Sequence, residues 1–85
     1  MGGLEGAYEN SNNLLGWAET EMDRLNGLLA QTDNPAIQKE IENKMNQLTR
    51  RMQSITAMIT QLATMMSNIS KMYSDIAMNS VRNMK

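Results

Sequence analysis

Eleven apolar residues, Ile41, Met45, Leu48, Met52, Ile55, Ile59, Leu62, Met66, Ile69, Tyr73 and Ile76, follow one another at steps that alternate four and three. A ladder of that period, kept for five heptads without a miss, is the seam of an α-helix that packs lengthwise on other helices. Such a stripe has to be covered. It directs the search for function toward assembly and away from catalysis.

The chain is too short to settle the matter alone. Its 85 residues make at most one domain, and a domain of that size buries only about 60–65% of the surface its unfolded chain exposes. Cysteine and histidine are both absent, so neither a disulfide nor a thiolate or imidazole metal site can reinforce a small core. Stability is expected from helix packing, including packing between chains. The net charge of −1 hides an asymmetry. Residues 1–34 hold six acids (Glu5, Glu9, Glu19, Glu21, Asp23, Asp33) against Arg24 alone. Residues 35–85 hold seven bases (Lys39, Lys44, Arg50, Arg51, Lys71, Arg82, Lys85) against Glu40, Glu42 and Asp75. The two halves are expected to attract each other.

The opening Met1-Gly2-Gly3-Leu4-Glu5 has neither a basic nor an apolar signal region, so a cleaved secretory signal is not expected. The chain is expected to be cytosolic or to leave by another route. Between Met52 and Ser70 no charge occurs over nineteen residues, but nine of these are polar, a load that a bilayer span does not carry. No integral membrane span is expected.

Punctuation along the chain defines a hairpin. Residues 1–13 carry three glycines and four Asn or Ser without a sustained period, and are read as a flexible polar N-terminal segment. A first helix is expected over residues 14–31. Its stripe is Leu15, Ala18, Met22, Leu25 and Leu29, widened by Leu14 and Leu28, with Glu19, Glu21, Asp23 and Arg24 off it. Gly16 and Gly27 each cost this helix up to about 1 kcal/mol relative to alanine. The turn is residues 32–35, Thr32-Asp33-Asn34-Pro35, in which Asn34 caps the next helix and Pro35 suits its first position. A long C-terminal helix over 36–85 follows, with no internal Gly or Pro. The fold class is all-α: a helical hairpin with a short first helix and a long second helix, polymerising into a helical filament. A short first helix leaves residues 55–80 with an apolar stripe that only other chains can cover. The residues expected to pack subunits are Leu15, Met22, Leu25, Leu29, Ile41, Leu48, Met52, Ile55, Ile59, Leu62, Met66, Ile69, Tyr73 and Ile76. A compact helical bundle uses the same period and is the plainer alternative.

The flanks of the long seam add detail. One flank reads Ile37, Lys44, Arg51, Met58, Met65, Met72 and Asn79, and the other Glu42, Thr49, Thr56, Ala63, Ser70 and Ala77. Charged flanks stop after two heptads, and beyond them methionine and small residues give a wider contact face than one partner needs. Methionine is ordinary core filling, but its clustering at Met58, Met65, Met66 and Met72 also suits contacts that vary between repeats of an assembly. Opposite the seam stand Gln53, Ser54, Thr60, Gln61, Ser67 and Asn68, where a solvated helix ordinarily mixes Glu and Lys. Uncharged polar groups fit a neighbour, a passage, or a low-charge solvent face.

Other classes have little to stand on. Nucleic-acid platforms interleave aromatics with basic residues, and here Arg50-Arg51 is an isolated basic pair beside Tyr8, Trp17 and Tyr73. A nucleophilic Ser or Thr lacks a His or Cys partner, and Glu19 with Asp23 reads as a solvated acidic face. No phosphate loop or metal-ligand spacing occurs. No catalytic residue, cofactor, metal or nucleic-acid partner is expected, and the chain is not expected to be an enzyme.

Small size, a polar N-terminal segment, a first helix ending in Thr32-Asp33-Asn34-Pro35-Ala36 and a long amphipathic helix to the C-terminus together resemble the needle or Hrp-pilus subunits of bacterial type III secretion systems. That resemblance implies a virulence-associated protein, cytoplasmic before export and secreted without signal cleavage. It would polymerise as a hollow extracellular needle or pilus, the conduit for unfolded effector proteins in transit. Implied partners are the chain itself as a homopolymer, the base and tip proteins of the system, and a subunit chaperone before export. The C-terminal helix of such tubes lines the lumen, so Gln53, Thr60, Gln61, Ser67, Asn68 and Lys71 become lumen candidates. The turn at Asp33, Asn34 and Pro35 would face outward. The stretch beyond Pro35 is longer than in typical animal-pathogen needles, which favours the plant-pathogen pilus branch. The same apolar stripe also suits a small helical-hairpin chaperone or adaptor that holds an amphipathic helix of a secretion partner.

Overall fold

The computed structural model describes residues 3–84. Met1 and Gly2 of the N-terminal segment, and Lys85 of the long helix, lie outside the described residues. Helix α1 is Gly3–Gln31 and helix α2 is Pro35–Asn83, joined by a three-residue turn. The two lie antiparallel as a hairpin. At about 1.5 Å per residue, 49 residues of α2 span about 74 Å, which is nearly the 77 Å length of the whole molecule. The cross-section is 18 × 16 Å, so the rod is two helices wide throughout its paired part.

The turn is fixed by the side chains expected to fix it. Asn34 has extended backbone (φ −82°, ψ 115°), and its Oδ1 accepts from the amides of Ala36 at 2.9 Å and Ile37 at 3.5 Å. Pro35 follows at the first helical position, where the missing amide proton costs nothing. The Gln38 side-chain amide donates to the Thr32 carbonyl at 2.8 Å, tying the end of α1 to the first turn of α2.

The first helix is not short. It begins at Gly3, not at residue 14, so the described part of the segment read as flexible is helical. A second ladder explains this. Leu4, Tyr8, Ser11, Leu15, Ala18, Met22, Leu25 and Leu29 also alternate steps of four and three, and every one of them is buried or half-buried. Ser11 broke the apolar pattern, yet it is buried, and its hydroxyl donates to the Met58 sulfur across the seam at 3.4 Å. Small residues at Ser11 and Ala18 let the helices close up, and Ala18 has no exposed surface.

Tight burial concentrates in Ala18, Leu25, Ile41 and Leu48, with Met22, Leu29, Met45 and Met52 packed against them. The longer α1 changes the length argument. Leu4 lies beside Met66 and Ile69 at the far end of the pairing. Ile55, Ile59, Leu62 and Met66 are therefore half-buried within the hairpin, and the uncovered arm starts near Ile69 instead of residue 55. The expected attraction between halves is not realised as contacts. Among the described residues the only ion pair is Arg24 with Glu21, one turn apart on α1.

Candidate assembly surface

Two surfaces of the hairpin are apolar and open. The first is the end of α2. Where α1 stops, the ladder continues, and exposure rises to 40% at Ile69, 71% at Tyr73 and 56% at Ile76. Met78, Val81 and Met84 are exposed beyond them. From Ile69 to the end of the helix at Asn83, about 20 Å of α2 has no helix against it. Of the residues expected to pack subunits, Leu15 to Met66 are occupied at least in part by the hairpin's own seam, Ile69 and Tyr73 border its end beside Leu4, and Ile76 lies beyond it.

The second surface is one side of the paired region. The seam positions define two flanks, and the large exposed apolar residues of the paired region divide unequally between them. Leu14, Trp17 and Leu28 of α1 and Ile37, Met58 and Met65 of α2 all belong to one flank, here the front, and Met72 continues it onto the uncovered arm. The opposite flank, the back, carries Glu5, Glu9, Asn12, Gly16, Glu19, Asp23 and Asn26 of α1 with Glu42, Thr49, Thr56, Ala63 and Ser70 of α2, all exposed. Adjoining clefts trace the front from the turn to Leu14 and Ile55. Leu28, Ile37, Ile41 and Lys44 line one near the turn. Trp17, Glu21, Lys44 and Arg51 line the next. The third, about 730 Å³, has Leu14 and Trp17 on one wall and Arg50, Arg51, Ser54 and Ile55 on the other.

The sequence shows the other members of the front flank but gives no place to Trp17, and does not show their union. Leu14 and Leu28 read as a widening of the α1 stripe, and the methionines as a flank of α2; only the antiparallel register puts them on one side. The lumen candidates Gln53, Thr60, Gln61, Ser67, Asn68 and Lys71 are all exposed, on the part of α2 turned away from α1. The Thr60 hydroxyl donates to the Thr56 carbonyl at 3.0 Å, so this residue presents its methyl group as much as its oxygen. Asp33, Asn34 and Pro35 are exposed at the turn end of the rod. Among the described residues, no helix is long and apolar enough to cross a membrane, and no group of three or more acidic, His or Cys side chains could hold a metal ion. Comparison of the chain with family models, with curated proteins and with solved structures finds no match.

Proposed function

We propose that this chain is a structural, non-catalytic subunit that self-assembles into the hollow extracellular needle or pilus of a bacterial type III secretion system, the conduit for effector proteins. The observation that carries the reading is a seam that outruns its cover: the packing ladder of α2 opens at Ile69 and Tyr73, beside the last α1 rung at Leu4, and runs on to Ile76 past the end of α1. An exposed stripe on a long helix has a ready partner in another copy of the same stripe. The apolar front flank supports the same reading, because a subunit in a helical tube touches several neighbours and needs more than one contact face. The Asp33-Asn34-Pro35 turn and the uncharged outer face of α2 are the features that favour a secretion needle over other filaments. In this reading the chain is cytoplasmic until export, with a chaperone over its exposed arm, and afterwards extracellular between base and tip proteins.

The test is negative-stain electron microscopy of the purified chain. Long tubes of uniform width are the expected result. A chaperone or adaptor would use the same exposed stripe but remain a small oligomer until its client arrives, and small particles at every concentration would replace the filament reading with that one.

A further inference from the structure

The front and the back of the hairpin are complementary to each other. On the front, Trp17 is 52% exposed above the 730 Å³ cleft, with Arg50 and Arg51 lining the facing wall. Neither arginine has an acidic partner among the described residues, and Glu21, which lines the adjoining cleft, is held by Arg24. A half-exposed indole in one cleft with two arginines that have no acidic partner is the composition of an interface anchor. On the back, Glu5, Glu9, Asn12, Gly16, Glu19 and Asp23 form one exposed ridge along α1, and Lys39 is the one base on that side of the paired region. Gly16 sits in the middle of the ridge. There, as at Gly6 and Gly27, a side chain would meet nothing in its own chain, and mid-helix glycine costs up to about 1 kcal/mol relative to alanine; of the three, Gly16 is the one on the acidic ridge. It leaves a shallow dent between Asn12 and Glu19.

We propose that the Trp17 cleft of one copy receives the acidic α1 ridge of a second copy, with the indole over Gly16 and Arg50 and Arg51 against Glu19 and Asp23. This rests on the self-assembly reading and names the surfaces that meet. Two-fold docking of front on front would bring four guanidinium groups together, and back on back would oppose two acidic ridges; front on back pairs the charges. Because both surfaces belong to every copy, such a contact is heterologous and leaves a free front and a free back at the ends of any assembly, so it propagates instead of closing as a dimer.

The experiment uses two charge-reversed variants of the full chain, Arg50→Glu/Arg51→Glu and Glu19→Arg/Asp23→Arg, measured for filament yield and critical concentration beside the wild type. All four residues are exposed, so each variant alone should keep the helicity of the wild type, checked by circular dichroism. Each alone should raise the critical concentration about tenfold or more. Mixed in equal amounts they should assemble again, in alternation, because the reversed front of one then meets the reversed back of the other. Gly16→Leu fills the dent without changing charge, and should raise helicity while blocking assembly. Wild-type filaments with unaffected variants would overturn this interface and leave the filament reading standing. Failure of the equimolar mixture, with both variants helical and inactive alone, would also overturn it. A wild type that never associates would overturn both.

Discussion

Leu48 and Ile76 occupy equivalent positions on the same ladder, but Leu48 is 6% exposed against α1 and Ile76 is 56% exposed beyond it. Alanine at each therefore separates hairpin stability from assembly. Leu48→Ala removes three carbons from a closed seam and should cost the isolated hairpin about 2–3 kcal/mol, the lower part of the range for large-to-small core changes, because a two-helix seam collapses more easily than a deep core. For a small hairpin that is a large share of total stability. Ile76→Ala removes three carbons that no second helix touches. At about 0.8 kcal/mol per buried carbon group, burying the exposed fraction on assembly contributes about 1.3 kcal/mol, so the critical concentration should rise about tenfold. The isolated hairpin should be unchanged or slightly more helical, since alanine is the better helix former by a few tenths of a kcal/mol. Urea unfolding of dilute protein followed by circular dichroism measures the first quantity, and pelleting across a concentration series the second. The reasoning fails if Ile76→Ala destabilises the dilute hairpin as much as Leu48→Ala does, or if it leaves the critical concentration where it was.

Three further outcomes follow from the same geometry. Asn34→Ala removes the acceptor for the Ala36 and Ile37 amides, and should lower the stability of the hairpin by about 1 kcal/mol in urea titrations without altering filament width. Ile69→Asp puts a charge at the last rung beside α1, and should abolish filaments while the dilute subunit keeps most of its helicity; Ile59→Asp, half-buried within the seam, should unfold the hairpin itself. Exchange of Gln53, Gln61 and Asn68 together for Glu should leave filaments of normal appearance but impair effector export if the outer face of α2 lines the passage. Normal export through assembled triple mutants would remove the lumen assignment, and loss of filaments would make that face a packing surface.

The turn and α2 were legible because their signals are local and mutually consistent: an Asn-Pro cap, no internal breaker, and an apolar ladder of one period. The N-terminal half of α1 was not, because its seam is written in residues that do not look like a core. Gly6, Asn10, Ser11, Asn12 and Asn13 read as a loop composition, and only the apposition of Ser11 with Met58 shows that a small residue at that rung serves close approach. This misreading also misplaced the uncovered arm, since a helix reaching back to Leu4 covers α2 to Met66. The front flank was hidden for a different reason. Leu14, Trp17 and Leu28 lie far in sequence from Met58, Met65 and Met72, and which residues share a side depends on register, a property of the pair of helices and of neither alone. Trp17 had no role in the periodic pattern; the structure sets it in one cleft with Arg50 and Arg51.

In a self-assembling subunit, further copies cover without limit the apolar surfaces that the hairpin leaves open. Sedimentation velocity of the wild-type chain over a wide concentration range measures this directly. A low-mass species whose concentration stops rising above a threshold, while all additional protein enters fast, open-ended polymer, is the predicted result. A single discrete oligomer, or a monomer that persists at every concentration, would contradict it.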